Sequence, residues 1–261
     1  MSWRFVRTPK WIVRHVAVVL LCSAMVVAML WQISRLHDKQ AYERLVDARQ
    51  DQPAAPVLEL VPVDSGDDAV DDVLYRTAVA EGRYRAEQTV VVENRSFNGA
   101  PGAWVLTPLE VAPGQAVLVN RGFIGFTRDG EIVAPPPPTG TVRVEGLMEP
   151  GQTRGSFGAR DPEEGTLAVV ARVDLDRIDA QVPEDLLPAY LQRVTSSPGE
   201  PSPAEGEPEL VPLGPPELGE GPHLGYAVQW AIFTVIAAGG YVLLLRRVAR
   251  DQARAEALGE V

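Results

Sequence analysis

The chain has 261 residues, a formal net charge of −11 and one cysteine, Cys22. A lone cysteine excludes an internal disulfide framework, a dithiol redox pair and a multi-cysteine zinc site. Three histidines (His15, His37, His223) leave little for a histidine-rich metal centre, and the acid excess excludes a general nucleic-acid binder.

The charge is unevenly placed. Residues 1–15 carry Arg4, Arg7, Lys10 and Arg14 and no acid. Next comes an apolar run, Val16–Ile33, whose 18 residues span about 27 Å as a helix, enough for a hydrocarbon core of roughly 30 Å. A cleaved signal peptide needs small residues before the cut, and Met29-Leu30-Trp31 offers none. Leu21 precedes Cys22 where a lipoprotein site wants a small residue. The reading is a retained transmembrane helix over 16–33, continuing as a solvated stalk through His37–Arg49. Residues 34–72 are stalk and loop, with the acidic stretch DSGDDAVDD near the end.

Residues 73–195 read as a mainly-β domain. Leu74–Tyr84, Thr89–Ser96, Gly102–Leu109, Ala116–Gly125, Thr141–Met148 and Thr166–Val173 are short and rich in Val, Tyr, Phe and Thr. Asn98-Gly99, Pro113-Gly114, Asp129-Gly130 and Pro135–Pro138 punctuate them. Val117, Val119 and Arg121 alternate with Leu118, Asn120 and Gly122, a period that puts one face inward. An antiparallel barrel or sandwich is expected, with one short helical segment over Leu175–Leu191, broken at Pro183 and Pro188.

Residues 196–222 hold 8 Pro, 5 Gly and 6 Glu, without Lys or Arg. That composition predicts an extended, acidic tether. A second apolar run, Leu224–Leu245, follows as another transmembrane helix, with Tyr226 and Trp230 near one boundary. Residues 246–261 form a tail that opens with Arg246 and Arg247. Because both termini carry arginines beside the helices, both are expected in the cytoplasm, with the acidic domain extracytoplasmic. Arginine outnumbers lysine 22 to 2, which suits GC-rich coding and a bacterial plasma membrane protein.

No Ser/His/Asp or Cys/His set is credible in the domain, and no phosphate-cradling glycine loop is present. Between the two apolar runs Met148 is the only methionine, so a copper carrier has no cluster of ligands there. The expectation is a protein that is not an enzyme and holds no metal ion in a side-chain cage.

Three islands carry more. Trp31-Gln32-x-x-Arg35 leaves the first helix. Tyr75-Arg76, Gly82-x-Tyr84, Trp104 and Val117–Ile124, with Asn120-Arg121-Gly122 at its centre, run through the strands. His223-x-x-Tyr226-Ala227-x-Gln229-Trp230 opens the second helix. Singly these read as interfacial aromatics with snorkelling bases, a strand ending in a turn with Arg121 paired to an acid, and an aromatic belt with a stray histidine. In this order they resemble the Surfeit locus protein 1 family, over residues 31–245. Phe123 and Leu224 depart from the family pattern by replacing aromatics, and the 196–222 segment looks long.

The resemblance implies an integral membrane factor for assembling heme-copper cytochrome c oxidase, aiding heme a insertion into the catalytic subunit. Heme a synthase is a further implied contact. A neutral imidazole is a competent axial ligand, so His223 is the candidate for the iron. Tyr226, Gln229, Trp230, Trp31, Gln32 and Arg35 are the candidate cofactor neighbours, with Arg35 suited to a propionate. Asn120, Arg121 and Gly122 are expected to be structural or to meet a partner. Two other readings stay open: a scaffold that binds the oxidase subunit without heme, and an unrelated membrane-tethered binding domain.

Overall fold

A computed structural model describes residues 3–63, 65–155, 158–215 and 221–258. The chain divides into two compact units, Met1–Arg44 with Leu218–Val261, and Leu45–Glu217.

The first unit is a pair of long helices. A 3-10 turn at Arg4–Arg7 precedes α1, Pro9–Gln50. Pro9 suits a first helical position, where a missing N–H costs nothing. The 42 residues of α1 make a rod of about 63 Å, with the 16–33 run in its N-terminal half. The second long helix, numbered α5 in chain order, is His223–Leu258. It runs past Arg246 and Arg247 rather than ending there, because alanine and arginine are strong helix formers. Both helices are long and apolar enough to cross a membrane.

The second unit contains the sheet. Its strands are β1 (Ala55–Pro56), β2 (Thr77–Tyr84), β3 (Val90–Phe97), β4 (Ala100–Ala112), β5 (Gln115–Gly125), β6 (Val142–Pro150), β7 (Val169–Val170), β8 (Asp185–Leu186) and β9 (Ala189–Ser197). Short helices α2 (Val57–Leu60), α3 (Asp67–Val73) and α4 (Leu175–Asp179) lie between them. The sheet order is β1-β2-β6-β9-β5-β4-β3-β7, and β2 also pairs β4 at Arg83↔Glu110 and Tyr84↔Leu109. That pairing closes β2, β6, β9, β5 and β4 into a ring and removes most of the open edge. The sheet is mixed rather than antiparallel: β9 runs parallel to β5 (Val119↔Leu191) and antiparallel to β6.

The alternation in β5 separates two cores. Val117 and Val119 join Leu109, Val144, Met148 and Leu191 in one buried cluster, while Ala116 and Leu118 join Leu106, Ile178 and Tyr190 in another. Both faces of β5 are therefore covered, not one.

Three segments differ from expectation. The helix expected over Leu175–Leu191 stops at Asp179, since Pro183 and Pro188 interrupt it, and Ala189–Ser197 becomes a ring strand. The loop expected before residue 73 contains α2 and α3, because Val57, Val61 and Val70 have apolar surface to bury against the first cluster. The expected tether over 196–222 instead touches the barrel at Glu200, Leu210, Val211 and Gly214. Leu210 is buried, and Phe123 and Val211 exchange two backbone bonds of 2.8 Å. Residues 216–220 lie outside the described residues.

Candidate functional site

The two helices are antiparallel, so the middle of α1 meets the start of α5. Gln32 and His223, 191 residues apart, are joined there: the His223 Nδ1 lies 2.9 Å from the Gln32 Oε1. The carboxamide oxygen only accepts, so Nδ1 carries the proton and donates. The second ring nitrogen of His223, Nε2, has no hydrogen-bond partner among the described residues. Gly221 (φ +64°) precedes it, and a Cβ at that position would stand 3.6 Å from Nε2. Glycine thus keeps that edge of the ring clear. Neither helix alone fixes the imidazole. The bond across the pair does, in the manner of a carbonyl or carboxylate that orients a ligating histidine.

The other predicted neighbours are distributed around this bond. Trp230 is half-buried and meets Phe233 edge-on at 6.0 Å. Trp31 is exposed, with the Arg35 guanidinium 5.8 Å from its ring centre. Arg35 also faces Asp38 at 4.0 Å, a weak exposed pair that a stronger anion can displace. Tyr226 and Gln229 are exposed and carry no side-chain hydrogen bond among the described residues. Helical angles explain the split. Residues 223, 227 and 230 share one face of α5, and Ala227 is buried there. Residues 226 and 229 flank that face.

The donor set fits a heme. One ring nitrogen, Nε2, has no partner among the described residues while the other is hydrogen-bonded, and aromatic and basic side chains occur on the flanks. Among the described residues no group of three His, Cys, Asp or Glu side chains is gathered for a bare metal ion.

Asn120, Arg121 and Gly122 form a separate site in the barrel unit. Arg121 is fully buried. Its Nε and Nη2 donate to Glu200 at 3.2 and 2.5 Å, and Nη1 and Nη2 donate to the carbonyls of Pro135 and Pro136 at 2.8 and 3.2 Å. Arg193 Nε donates to the Arg121 carbonyl at 2.6 Å and stands 3.7 Å from Glu200. Burial pushes the nearby Tyr84 hydroxyl well above its ordinary pKa, and the Glu200 charge adds to that. The Asn120 Oδ1 accepts from the Gly122 N–H at 3.2 Å. Gly122 has φ +144°, and a Cβ there would stand 2.3 Å from the Val211 carbonyl. Each residue of the motif thus serves the docking of residues 200–211. Glu200 and Val211 were not singled out by sequence. Glu200 is one of six glutamates in its segment, and nothing local distinguishes it.

Two helices long and apolar enough to cross a membrane, a closed mainly-β domain in the intervening sequence and a histidine bonded across the helix pair define the class as a two-helix, mainly-β protein. Comparison with known proteins narrows the class. A profile of the SURF1 family matches residues 19–235, and the chain belongs to that family, known in general for oxidase assembly. Similar relatives are uncharacterized SURF1-like proteins of Mycobacterium bovis and Mycobacterium tuberculosis. Each is 27% identical over 243 residues, covering 90% of this chain and 83% of the relative.

Proposed function

We propose that the protein carries heme a to the catalytic subunit of a cytochrome c oxidase, with His223 Nε2 as axial ligand. The membrane is the bacterial plasma membrane, both termini are cytoplasmic and the barrel is extracytoplasmic. The observation that carries the reading is the 2.9 Å bond from His223 Nδ1 to Gln32, which leaves Nε2 as the nitrogen available to a ligand. Heme a supplies the iron and a hydrophobic macrocycle. The chain supplies the rest. Gln32 holds the tautomer and aims the ring, Gly221 leaves room, and Trp31, Tyr226 and Trp230 offer apolar surface at the level of the headgroups. Arg35 exchanges its weak pair with Asp38 for a propionate, and Gln229 offers a hydrogen bond to the ring periphery. The protein acts by holding and releasing rather than by catalysis, and heme a synthase is the source from which it loads.

The test is purification from cells that make heme a, comparing wild type with His223→Ala. Wild type should show the absorption of bound heme a and the variant should lose it. Equal occupancy in both removes His223 as ligand and leaves a scaffold that holds the oxidase subunit without heme.

A further inference from the structure

At the opposite end of the helix pair a second cross-helix bond closes an apolar groove. The groove has a volume of about 550 Å³ and is lined by Val18, Cys22, Val26 and Val27 of α1 and Ala238 and Val242 of α5. Tyr241 forms its floor. The Tyr241 hydroxyl lies 2.6 Å from His15 Nδ1, and His15 Nε2 lies 3.1 Å from the Val6 carbonyl. A carbonyl only accepts, so His15 donates from Nε2, and with Nε2 carrying the proton Nδ1 accepts a hydrogen bond from the tyrosine O–H. This pins the Arg4–Arg7 turn to the helices, and Phe5 is buried against Trp11 at 4.9 Å.

Length and charge give the groove an occupant. Val18 to Val27 is nine helical steps, about 14 Å of helix. That is half of a hydrocarbon core of roughly 30 Å, so the groove spans one leaflet. Beyond the floor lies a basic collar. Arg246 follows Val242 by four residues on one face, and Arg14 precedes Val18 by four. Arg4, Arg7 and Lys10 sit on or beside the pinned turn. Among the described residues none of these five has an acidic partner, whereas Arg247 is paired with Asp251 at 3.9 Å. Arg14 lies over the Trp11 ring at 4.5 Å, so a groove that takes one acyl chain ends at cations without an acidic partner, which is the chemistry of an anionic lipid site.

We propose that this groove and collar are a binding site for one anionic phospholipid, its acyl chain between the helices and its phosphate between Arg14 and Arg246. A zwitterionic lipid fills the same groove but brings a compensating cation to the collar. Two arginines near the headgroup then give a preference of roughly tenfold or more.

The experiment uses the full-length protein in mild detergent, titrated with phosphatidylglycerol or with phosphatidylcholine of the same chains, and read by native mass spectrometry. Wild type should retain one phosphatidylglycerol in preference to phosphatidylcholine. The double variant Arg14→Gln/Arg246→Gln should lose the preference. Val26→Trp, which fills the groove, should lose retention of both lipids, and Arg247→Gln should change nothing. Equal retention of the two lipids by wild type overturns the proposal. So does a preference that survives the double variant, or one lost equally in Arg247→Gln, which would mark diffuse charge. Glycerol 1-phosphate retained as well as the whole lipid overturns the acyl-chain part.

Discussion

Along the helix pair, two histidine bonds join the helices, His15 with Tyr241 at one end and His223 with Gln32 at the other. In the barrel a single arginine, Arg121, donates four bonds to two segments, 135–136 and 200. The contrast teaches what each bond is worth. In lipid the separated helices find other polar partners, so one interhelical bond contributes about 0.6 kcal/mol and rarely above 1.7. In a water-excluded barrel, removing one partner of a buried pair strands the other charge, which costs about 3–5 kcal/mol. The two histidines also differ from each other. His15 has both ring nitrogens engaged by the chain. His223 engages one, and among the described residues its Nε2 is left for something else.

The largest effect that separates the two regions is Glu200→Ala. It leaves Arg121 buried against two proline carbonyls, and thermal unfolding of the full-length protein should report a loss of about 3–5 kcal/mol. Glu205→Ala, an exposed acid of the same segment, should stay within about 0.5 kcal/mol. A loss no larger than that control would place the docking of this segment on Val211 and Leu210 alone.

Next is the pH dependence of the barrel. Burial raises the Glu149 carboxyl to about 7. Ionising it therefore costs more in the folded state than in the unfolded chain. Its favourable contribution is complete below about pH 4.5 and declines as pH rises toward 7. Glu149→Gln should remove that decline and gain up to about 3 kcal/mol at pH 8, with little change at pH 4. Melting curves at the two pH values check the sign. A variant that is equally stabilised at both would mean packing rather than ionisation.

The smallest effect is the most specific. Gln32→Leu should leave melting within about 1.7 kcal/mol of wild type. It should nonetheless weaken heme retention by roughly 10–100-fold, as losing an orienting partner does for other metal-bound histidines. His15→Phe should match it in stability without touching the heme. If the two variants act alike on heme, the difference between the histidines has no functional content.

Much of this layout is legible in the amino-acid order. The apolar runs, their flanking arginines and the strands from β2 to β6 follow from composition and turn residues. What escaped is non-local. β9 carries no strand signal of its own: its first three residues fall inside the expected helix over Leu175–Leu191, its last two inside the expected tether, and its parallel pairing with β5 leaves no hairpin signature. The alternation in β5 was visible, but two covered faces alternate as cleanly as one covered and one wet. His223 and Gln32 were both flagged, yet a bond across 191 residues is written nowhere in either motif. The proline-rich segment was judged by how little it can bury, whereas a few anchors suffice when a barrel is already there to receive them.

The docking of Glu200 on Arg121 also has an order in time. The ribosome releases Arg121 79 residues before its counter-ion. At synthesis rates of about 5–20 residues per second that interval is about 4–16 s. Through it, β5 holds a cation with no anion to meet and lacks β9, its parallel neighbour. The barrel is thus finished only when nearly all of the chain before α5 has been made, and its final clamp comes just ahead of the second helix.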